Sequence, residues 1–264
     1  MTAALPMYDR PETEAANQKL WCVIRANLSE MWRDAGERGW SLPDRLTQPE
    51  DLWSHWMDPG LTLSQTCGLP FRDRLKDVVT LVGTADYGLP DCPPGHYNSV
   101  FVIRADDGRD RPADWAGMTL ACNSRNSQSG WAAPANHLAA EGLGFDDIVL
   151  TGAHRASANA VARGEADVAG IDAQTWRMIC RWDPEVAAAL REVGRTAPTP
   201  GLPFITAGTH PAGDLRLALA DAIRSLSDED RAVLDMQDFV VLDADRYYAV
   251  PTPPFPKASA RKID

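Results

Sequence analysis

The chain has 264 residues, of which 44% are hydrophobic and 24% charged, and its formal net charge at pH 7 is −11. This composition is typical of a globular protein, and the length allows one large core or two lobes. The negative charge argues against nucleic acid or an anionic membrane as a partner, because both attract basic proteins. An anion site in this chain would have to be built locally, from oriented amides and hydroxyls.

Short apolar runs alternate with helical periodicity along the chain, which predicts an α/β fold. Strands are expected over 3–7, 61–66, 78–84, 99–105, 117–123, 148–152, 166–172 and twice within 191–208. Helices are expected over 12–39 (ending at Gly36 or Gly39), 154–164, 173–182, 212–226 and 227–234. The proline-rich tail, 251–264, is expected to be extended or mobile.

Two proline-stiffened segments, 92–98 and 196–203, could carry the chain between lobes. Two crossings predict a discontinuous first lobe, 1–98 plus 202–264, around an inserted second lobe, 99–201. We expect a ligand cleft between the two lobes, because ligands of open α/β sheets bind beyond the carboxyl ends of the strands.

The polar run Ser127-Gln128-Ser129-Gly130 follows a predicted strand and precedes an alanine-rich helix that should begin near Gly130 or Trp131. Two hydroxyls, one side-chain amide and the backbone N–H groups of Gly130 and Trp131 could converge there on an anion. The glycine would let a ligand approach the backbone. The alternative is an N-cap followed by a loop glycine.

A second run, LSQTCGLP at 63–70, repeats this chemistry with Ser64, Gln65 and Thr66 before a probable helix start. Two such turns on either side of the proposed lobe boundary suggest a ligand gripped from both sides. The alternative is that both are ordinary turns between a strand and a helix.

Four more side chains follow predicted strands: Tyr8, Tyr87, His154 and Asp172. His154 could face an anion, and Asp172 could accept a hydrogen bond from a protonated oxyanion or from a ligand ammonium. The tyrosine hydroxyls could reach a cleft. Packing for the tyrosines, a cap or surface position for His154 and an N-cap for Asp172 are the alternatives.

Motifs of catalysis are missing from the sequence: it has no GxGxxG, P-loop, HExxH or GxSxG motif, and its histidines lack metal-ligand spacing. We therefore expect no cofactor and no metal. The enzymatic alternative is Cys67 as a nucleophile at a helix N-terminus. A second alternative is a cytoplasmic sensor that reports ligand binding to a partner protein.

The five cysteines, an odd number without a CxxC pair, favour free thiols and a reducing compartment. The N-terminal segment MTAALPMYDRPE does not have the pattern of a signal peptide, and no apolar run approaches the ~20 residues of a membrane span. We expect no membrane insertion. The expected location is cytoplasmic as written, or periplasmic if an export signal is missing from this chain.

Several segments together resemble the PhnD-like substrate-binding proteins of phosphate, phosphite and phosphonate ABC transporters. They include LSQTCGLP, LVGTADYGLP, NSQSGWAAPANH and TGAHRASANAVARGEADVAGIDAQTWR, and the likeness spans about residues 1–245. The resemblance implies a two-lobe type II periplasmic-binding-protein-like fold with two hinge crossings. It also implies a non-enzymatic protein that closes on a small oxyanion or zwitterion and works with an ABC permease.

The resemblance also assigns roles to individual residues. The family's phosphonate-binding turn corresponds to Ser127, Ser129, Gly130 and Trp131. The family's oxyanion-contacting histidine, amine-contacting acidic residue and first-strand aromatic residue correspond to His154, Asp172 and Tyr8.

Overall fold

The computed structural model describes residues 1–34, 42–208, 210, 212–256 and 260–262. The chain folds as two compact units. Unit 1 comprises Met1–Pro90 and Pro200–Tyr248, and unit 2 comprises Asp91–Thr199 and Ala249–Asp264.

The structure alternates strands and helices, as the sequence predicts. The strands are β1 (Thr2–Ala3), β2 (Leu61–Gln65), β3 (Val79–Asp86), β4 (His96–Tyr97), β5 (Ser99–Arg104), β6 (Thr119–Cys122), β7 (Asp147–Leu150), β8 (Val168–Asp172), β9 (Leu190–Arg195), β10 (Thr199–Pro200), β11 (Pro203–Ala207), β12 (Asp238–Val240) and β13 (Ala260–Lys262). The α-helices are α1 (Pro11–Asp34), α2 (Leu52–Trp56), α3 (Gly68–Arg72), α4 (Pro112–Trp115), α5 (Ala133–Ala139), α6 (His154–Ala162), α7 (Ala173–Trp182), α8 (Pro184–Ala188), α9 (Ala212–Arg224), α10 (Asp228–Leu234) and α11 (Ala244–Tyr248). A π-helical turn, Gln128–Ala132, precedes α5.

Unit 1 is built on a five-stranded sheet in the order β1-β2-β11-β3-β12. β1 runs parallel to β2, whereas β11 is antiparallel to both β2 and β3. The long helix α1 buries Leu20, Trp21, Ile24 and Leu28, which recur at helical spacing. The predicted end of this helix at Gly36 or Gly39 lies outside the described residues.

Unit 2 is built on a six-stranded sheet in the order β13-β7-β6-β8-β5-β9. β6 runs parallel to β7 and to β8, so the carboxyl ends of these three strands meet at one edge. β5 is antiparallel to β8, and its first residue, Ser99, pairs with Asp172 at the end of β8. The first residue of β5 therefore lies at the same edge as the three carboxyl ends.

The C-terminal tail corrects the predicted lobe boundary, because residues 249–264 belong to unit 2 and not to the first lobe. The Asn136 side chain donates to the carbonyl of Pro251, and the Trp131 indole N–H donates to that of Pro253. The strand β13 then adds to the edge of β7 in parallel register. These contacts hold the described part of a tail whose composition suggested mobility.

The main strands and helices confirm the predicted alternation, with differences at a few places. β1 ends at Ala3, short of the predicted 3–7, and Pro6 lacks the N–H that a ladder needs. The short elements α2, β12 and α11 carry no periodic pattern long enough to be predicted. Within the described ranges, no helix is long and apolar enough to cross a membrane.

Candidate functional site

The polar turn after β6 begins with a cap. Ser127 has extended backbone angles, and its Oγ accepts a hydrogen bond from the Gly130 N–H at 2.9 Å. The chain then makes the π-helical turn before α5 starts at Ala133, so the helix begins later than the predicted Gly130–Trp131. The Gly130 N–H is therefore engaged by the cap, whereas the Ser127 hydroxyl keeps its own proton to donate; binding of a ligand by these two residues stays a prediction.

Ser129 meets His154 across the edge of the unit 2 sheet. The Ser129 Oγ lies 2.8 Å from Nε2 of His154, and Ser127 Oγ lies 3.5 Å from Ser129 Oγ. The contact follows from the topology, because Ser129 comes after β6 and His154 opens α6 after the parallel neighbour β7. We call Ser127, Ser129 and His154 the serine–histidine cluster.

The imidazole of His154 is held neutral by its surroundings. Burial of the ring lowers its pKa to about 4, and the carbonyl of Gly170 offsets this shift in part. The side chain keeps a minor exposed fraction although protein atoms surround the ring. At neutral pH the ring can therefore donate through one nitrogen and accept through the other.

Ser99 supports the turn and was missed by the sequence reasoning. Its hydroxyl donates to the backbone carbonyl of Ser129 at 2.8 Å, and both residues are almost fully buried. The signal in the sequence is its position: the first residue of an antiparallel strand lies at the edge where its parallel neighbours end.

Gly130 is required by a side chain and not by its backbone angles. A Cβ atom at this position would lie 1.9 Å from Oδ1 of Asn123. Asn123 Oδ1 is buried, and no described group donates a hydrogen bond to it. The group that approaches the glycine is therefore the Asn123 amide, a residue that the sequence reasoning did not single out.

Two of the other unit 2 candidates, Asp172 and Trp131, have structural partners. The Asp172 side chain accepts from the Thr175 N–H at 2.9 Å, so it caps α7, as one alternative held. The Trp131 ring packs 4.8 Å from the ring of Phe255. Gln128 is 1% exposed. All three residues lie on the segments that border the serine–histidine cluster.

Unit 1 brings its four candidates together at the end of β2. Gln65 Nε2 donates to the Tyr87 hydroxyl at 3.4 Å, and the Tyr87 ring packs edge-on against Tyr8 at 5.2 Å. Thr66 is fully buried, and among the described residues its hydroxyl has no hydrogen-bond partner. We call Tyr8, Gln65, Thr66 and Tyr87 the unit 1 cluster.

Ser64 does not contribute to that cluster. Its hydroxyl lies 3.1 Å from Nε2 of His55, a residue of α2, and both side chains are buried. Burial lowers the pKa of His55 as well. Because Ser64 is fully buried and its hydroxyl is bonded to an internal histidine, it is a weaker ligand candidate than Thr66.

Among the described residues, no three or more His, Cys, Asp or Glu side chains lie close enough together to hold a metal ion. All five cysteines are free thiols. The site offers hydroxyls, amides and one neutral imidazole, which suits non-covalent binding of an oxyanion.

The sequence from 69 to 247 matches the family described as "ABC transporter, phosphonate, periplasmic substrate-binding protein". The chain belongs to this family. Its members are substrate-binding components of transporters and not enzymes, so neither the Cys67 nucleophile nor the sensor alternative is favoured. A search of curated proteins by sequence finds no match.

Solved structures share the fold at low sequence identity. PhnD1 from Prochlorococcus marinus in complex with methylphosphonate has a TM-score of 0.67 at 16% identity and covers 93% of each chain. A binding protein component of an ABC phosphonate transporter from Pseudomonas aeruginosa has a TM-score of 0.63 at 17% identity, covering 94% of this chain and 82% of that one. A protein from Xanthomonas citri bound to ATP has a TM-score of 0.68 at 18% identity, covering 94% and 96%. The type II periplasmic binding protein fold is thereby confirmed.

Proposed function

We propose that this phosphonate-family binding protein holds a small phosphonate-type oxyanion through the serine–histidine cluster and delivers it to an ABC permease. The observation that carries the proposal is the 2.8 Å contact between Ser129 Oγ and His154 Nε2 at the edge where β6 and β7 end. Ligands of open α/β sheets bind at such edges.

The cluster supplies donors without a fixed positive charge. Each serine hydroxyl can rotate its proton toward an oxyanion, and the imidazole can donate from one nitrogen. The net charge of −11 repels anions at long range, but salt screens that repulsion beyond ~8–10 Å. Hydrogen bonds made inside a buried turn are screened far less, so the local donors decide the affinity.

The unit 1 cluster is the second part of the proposal. The Thr66 hydroxyl has no hydrogen-bond partner among the described residues, so its proton can be donated to a ligand. The Gln65 amide and the rings of Tyr8 and Tyr87 contact one another in the same cluster. We propose that this cluster also contributes to ligand binding, through Thr66.

Asp172 sets the preference among ligands in this proposal. A carboxylate that also caps a helix can accept a hydrogen bond from a singly protonated phosphonate or from a ligand ammonium. A fully ionised anion without a donor would be repelled. Delivery to a permease and a periplasmic place of action are extended from the family, whose members are periplasmic.

The experiment is calorimetry with methylphosphonate, phosphite, phosphate and methanesulfonate. Ser129→Ala should weaken the tightest of these interactions by about 1–3 kcal/mol, which is roughly 5- to 150-fold in Kd. Ser124→Ala is the matched control, because Ser124 lies in the same loop and its hydroxyl accepts only from the Asn126 N–H among the described groups. Equal losses in both variants, or none in either, would refute the assignment of Ser129.

A further inference from the structure

A pocket in unit 1 contains none of the residues assigned to phosphonate binding. It has a volume of about 430 Å³ and lies between the start of α1, the segment after β1 and the loop 46–49. Its polar lining includes Asp9, Glu14 and Asn17.

The walls of this pocket are fixed by hydrogen bonds. The Gln18 side chain donates to the carbonyl of Leu46 and accepts from its N–H, at 3.4 and 3.1 Å. The Thr47 N–H donates to the Ala3 carbonyl at 2.8 Å, and the Gln48 amide donates to Asp9 Oδ2 at 3.3 Å. The pocket is therefore formed before any ligand arrives.

Asn17 is the lining residue that needs an explanation. It is only 6% exposed, yet within the described chain its side-chain amide makes no hydrogen bond. The amide atoms of Asn17 are not fully enclosed by protein, so a group in the pocket can reach them and bond to them. Neighbouring Gln18, in contrast, is bonded at both ends of its amide.

The charge of the pocket is negative. The guanidinium of Arg10 is engaged by Glu12, whose carboxylate lies 3.1 Å away. Glu14 has no ion-pair partner among the described residues. Burial raises the pKa of Asp9, the charge of Glu14 adds to this shift, and the hydrogen bond from Gln48 opposes it. Arg10 also lines the pocket, so two carboxylates share this space with one guanidinium, which Glu12 already pairs.

We propose that this pocket binds a primary ammonium group on an aliphatic chain. The ammonium has three N–H donors, which match the carboxylates of Asp9 and Glu14 and the amide oxygen of Asn17. The aliphatic chain matches the apolar walls formed by Leu5, Pro6, Pro11, Leu46 and Pro49. A ligand of this class would relieve the repulsion between the carboxylates and satisfy the buried amide.

The proposal is tested by calorimetry of the full chain with 1,5-diaminopentane, with 1-pentanol and calcium chloride as comparison probes. The diamine should bind one equivalent, and Glu14→Gln and Asn17→Leu should each weaken it about tenfold or more. Glu30→Gln is the matched control: it removes the same charge from α1, and Glu30 does not line the pocket. This control should bind as tightly as the unmodified chain.

Three outcomes would overturn the proposal. They are no measurable binding of the diamine, equal weakening in Glu30→Gln and Glu14→Gln, and tighter binding of calcium or 1-pentanol than of the diamine. Glu14 is exposed, so its substitution leaves the fold intact, and thermal unfolding of Asn17→Leu checks the buried position. The result is independent of the phosphonate site, because no residue assigned to phosphonate binding lines this pocket.

Discussion

The two units each contain a serine bonded to a histidine, and the two pairs differ in where they lie. Ser64 and His55 meet inside unit 1, 3.1 Å apart, with both side chains buried. Ser129 and His154 meet in unit 2, 2.8 Å apart, where two parallel strands end. The same two residue types thus build an internal structural contact in one unit and a candidate anion site in the other.

This difference shows that a run of polar residues in the sequence does not determine which of its hydroxyls can bind a ligand. SQSG and SQTCG look alike, but a histidine from another element uses Ser64, and a capping bond uses Ser127. The hydroxyls of Ser129 and Thr66 remain as the strongest ligand candidates. The following predictions separate the two serine–histidine pairs.

The largest expected effect is on the acid stability of unit 2. The folded pKa of His154, about 4, lies below its unfolded value near 6.5. The unfolded state therefore binds more protons, and stability is lost as the pH falls from about 6.5 to 4, by on the order of 3 kcal/mol.

The measurement is urea unfolding at several pH values of the unmodified chain and of His154→Gln. Gln keeps a hydrogen-bonding group but cannot titrate. The unfolding free energy of the His154→Gln variant should therefore fall less steeply as the pH is lowered. His55 and two further histidines also have lowered pKa values. They contribute the rest of the pH dependence of the unfolding free energy, in the unmodified chain and in His154→Gln alike. Identical slopes would show that His154 is not held neutral.

The next effect concerns Gly130. In Gly130→Ala, the new Cβ would collide with Oδ1 of Asn123, so the π-helical turn must shift. We expect a loss of about 2–3 kcal/mol in unfolding free energy together with weaker methylphosphonate binding. Adding Asn123→Ala to Gly130→Ala should restore much of the unfolding free energy and of the methylphosphonate affinity. A Gly130→Ala variant as stable as the unmodified chain would contradict the predicted collision.

The smallest effect compares two neighbouring hydroxyls of unit 1. Ser64→Ala leaves the His55 ring without its partner and should cost about 1–2 kcal/mol of stability at unchanged affinity. Thr66→Val removes a hydroxyl that has no described partner, so stability should stay within about 0.5 kcal/mol while affinity falls. The reverse pattern in unfolding and calorimetry would exclude Thr66 from the site.

Much of the fold could be predicted from the sequence, because strong periodicity marks its long elements. The buried runs around β5 and β8 have the predicted type and nearly the predicted bounds, and α1 has the predicted type and starts one residue before the predicted position. The tail could not be predicted, since its prolines suggest an extended chain and give no sign that Trp131 and Asn136 bind its carbonyls.

The candidate site could be predicted only as a set of strand ends. Placing His154 and Ser129 at one edge follows from parallel topology, but their bond depends on the π-helical turn that delays α5. That turn depends in turn on Ser99, which comes from a strand about 30 residues earlier, and on the Asn123 side chain, which packs against Gly130. Contacts of this kind are set by tertiary packing and leave no local pattern.

The most direct measurement is ¹⁵N NMR of the histidine side chains during titration with methylphosphonate. We expect the ¹⁵N signals of the His154 ring to shift as the ligand saturates and the pKa of His154 to rise, while the ¹⁵N signals of His55 stay unchanged. Saturation with methylphosphonate that leaves the His154 signals in place, or that moves both histidines alike, would contradict the claim that Ser129 and His154 hold the anion.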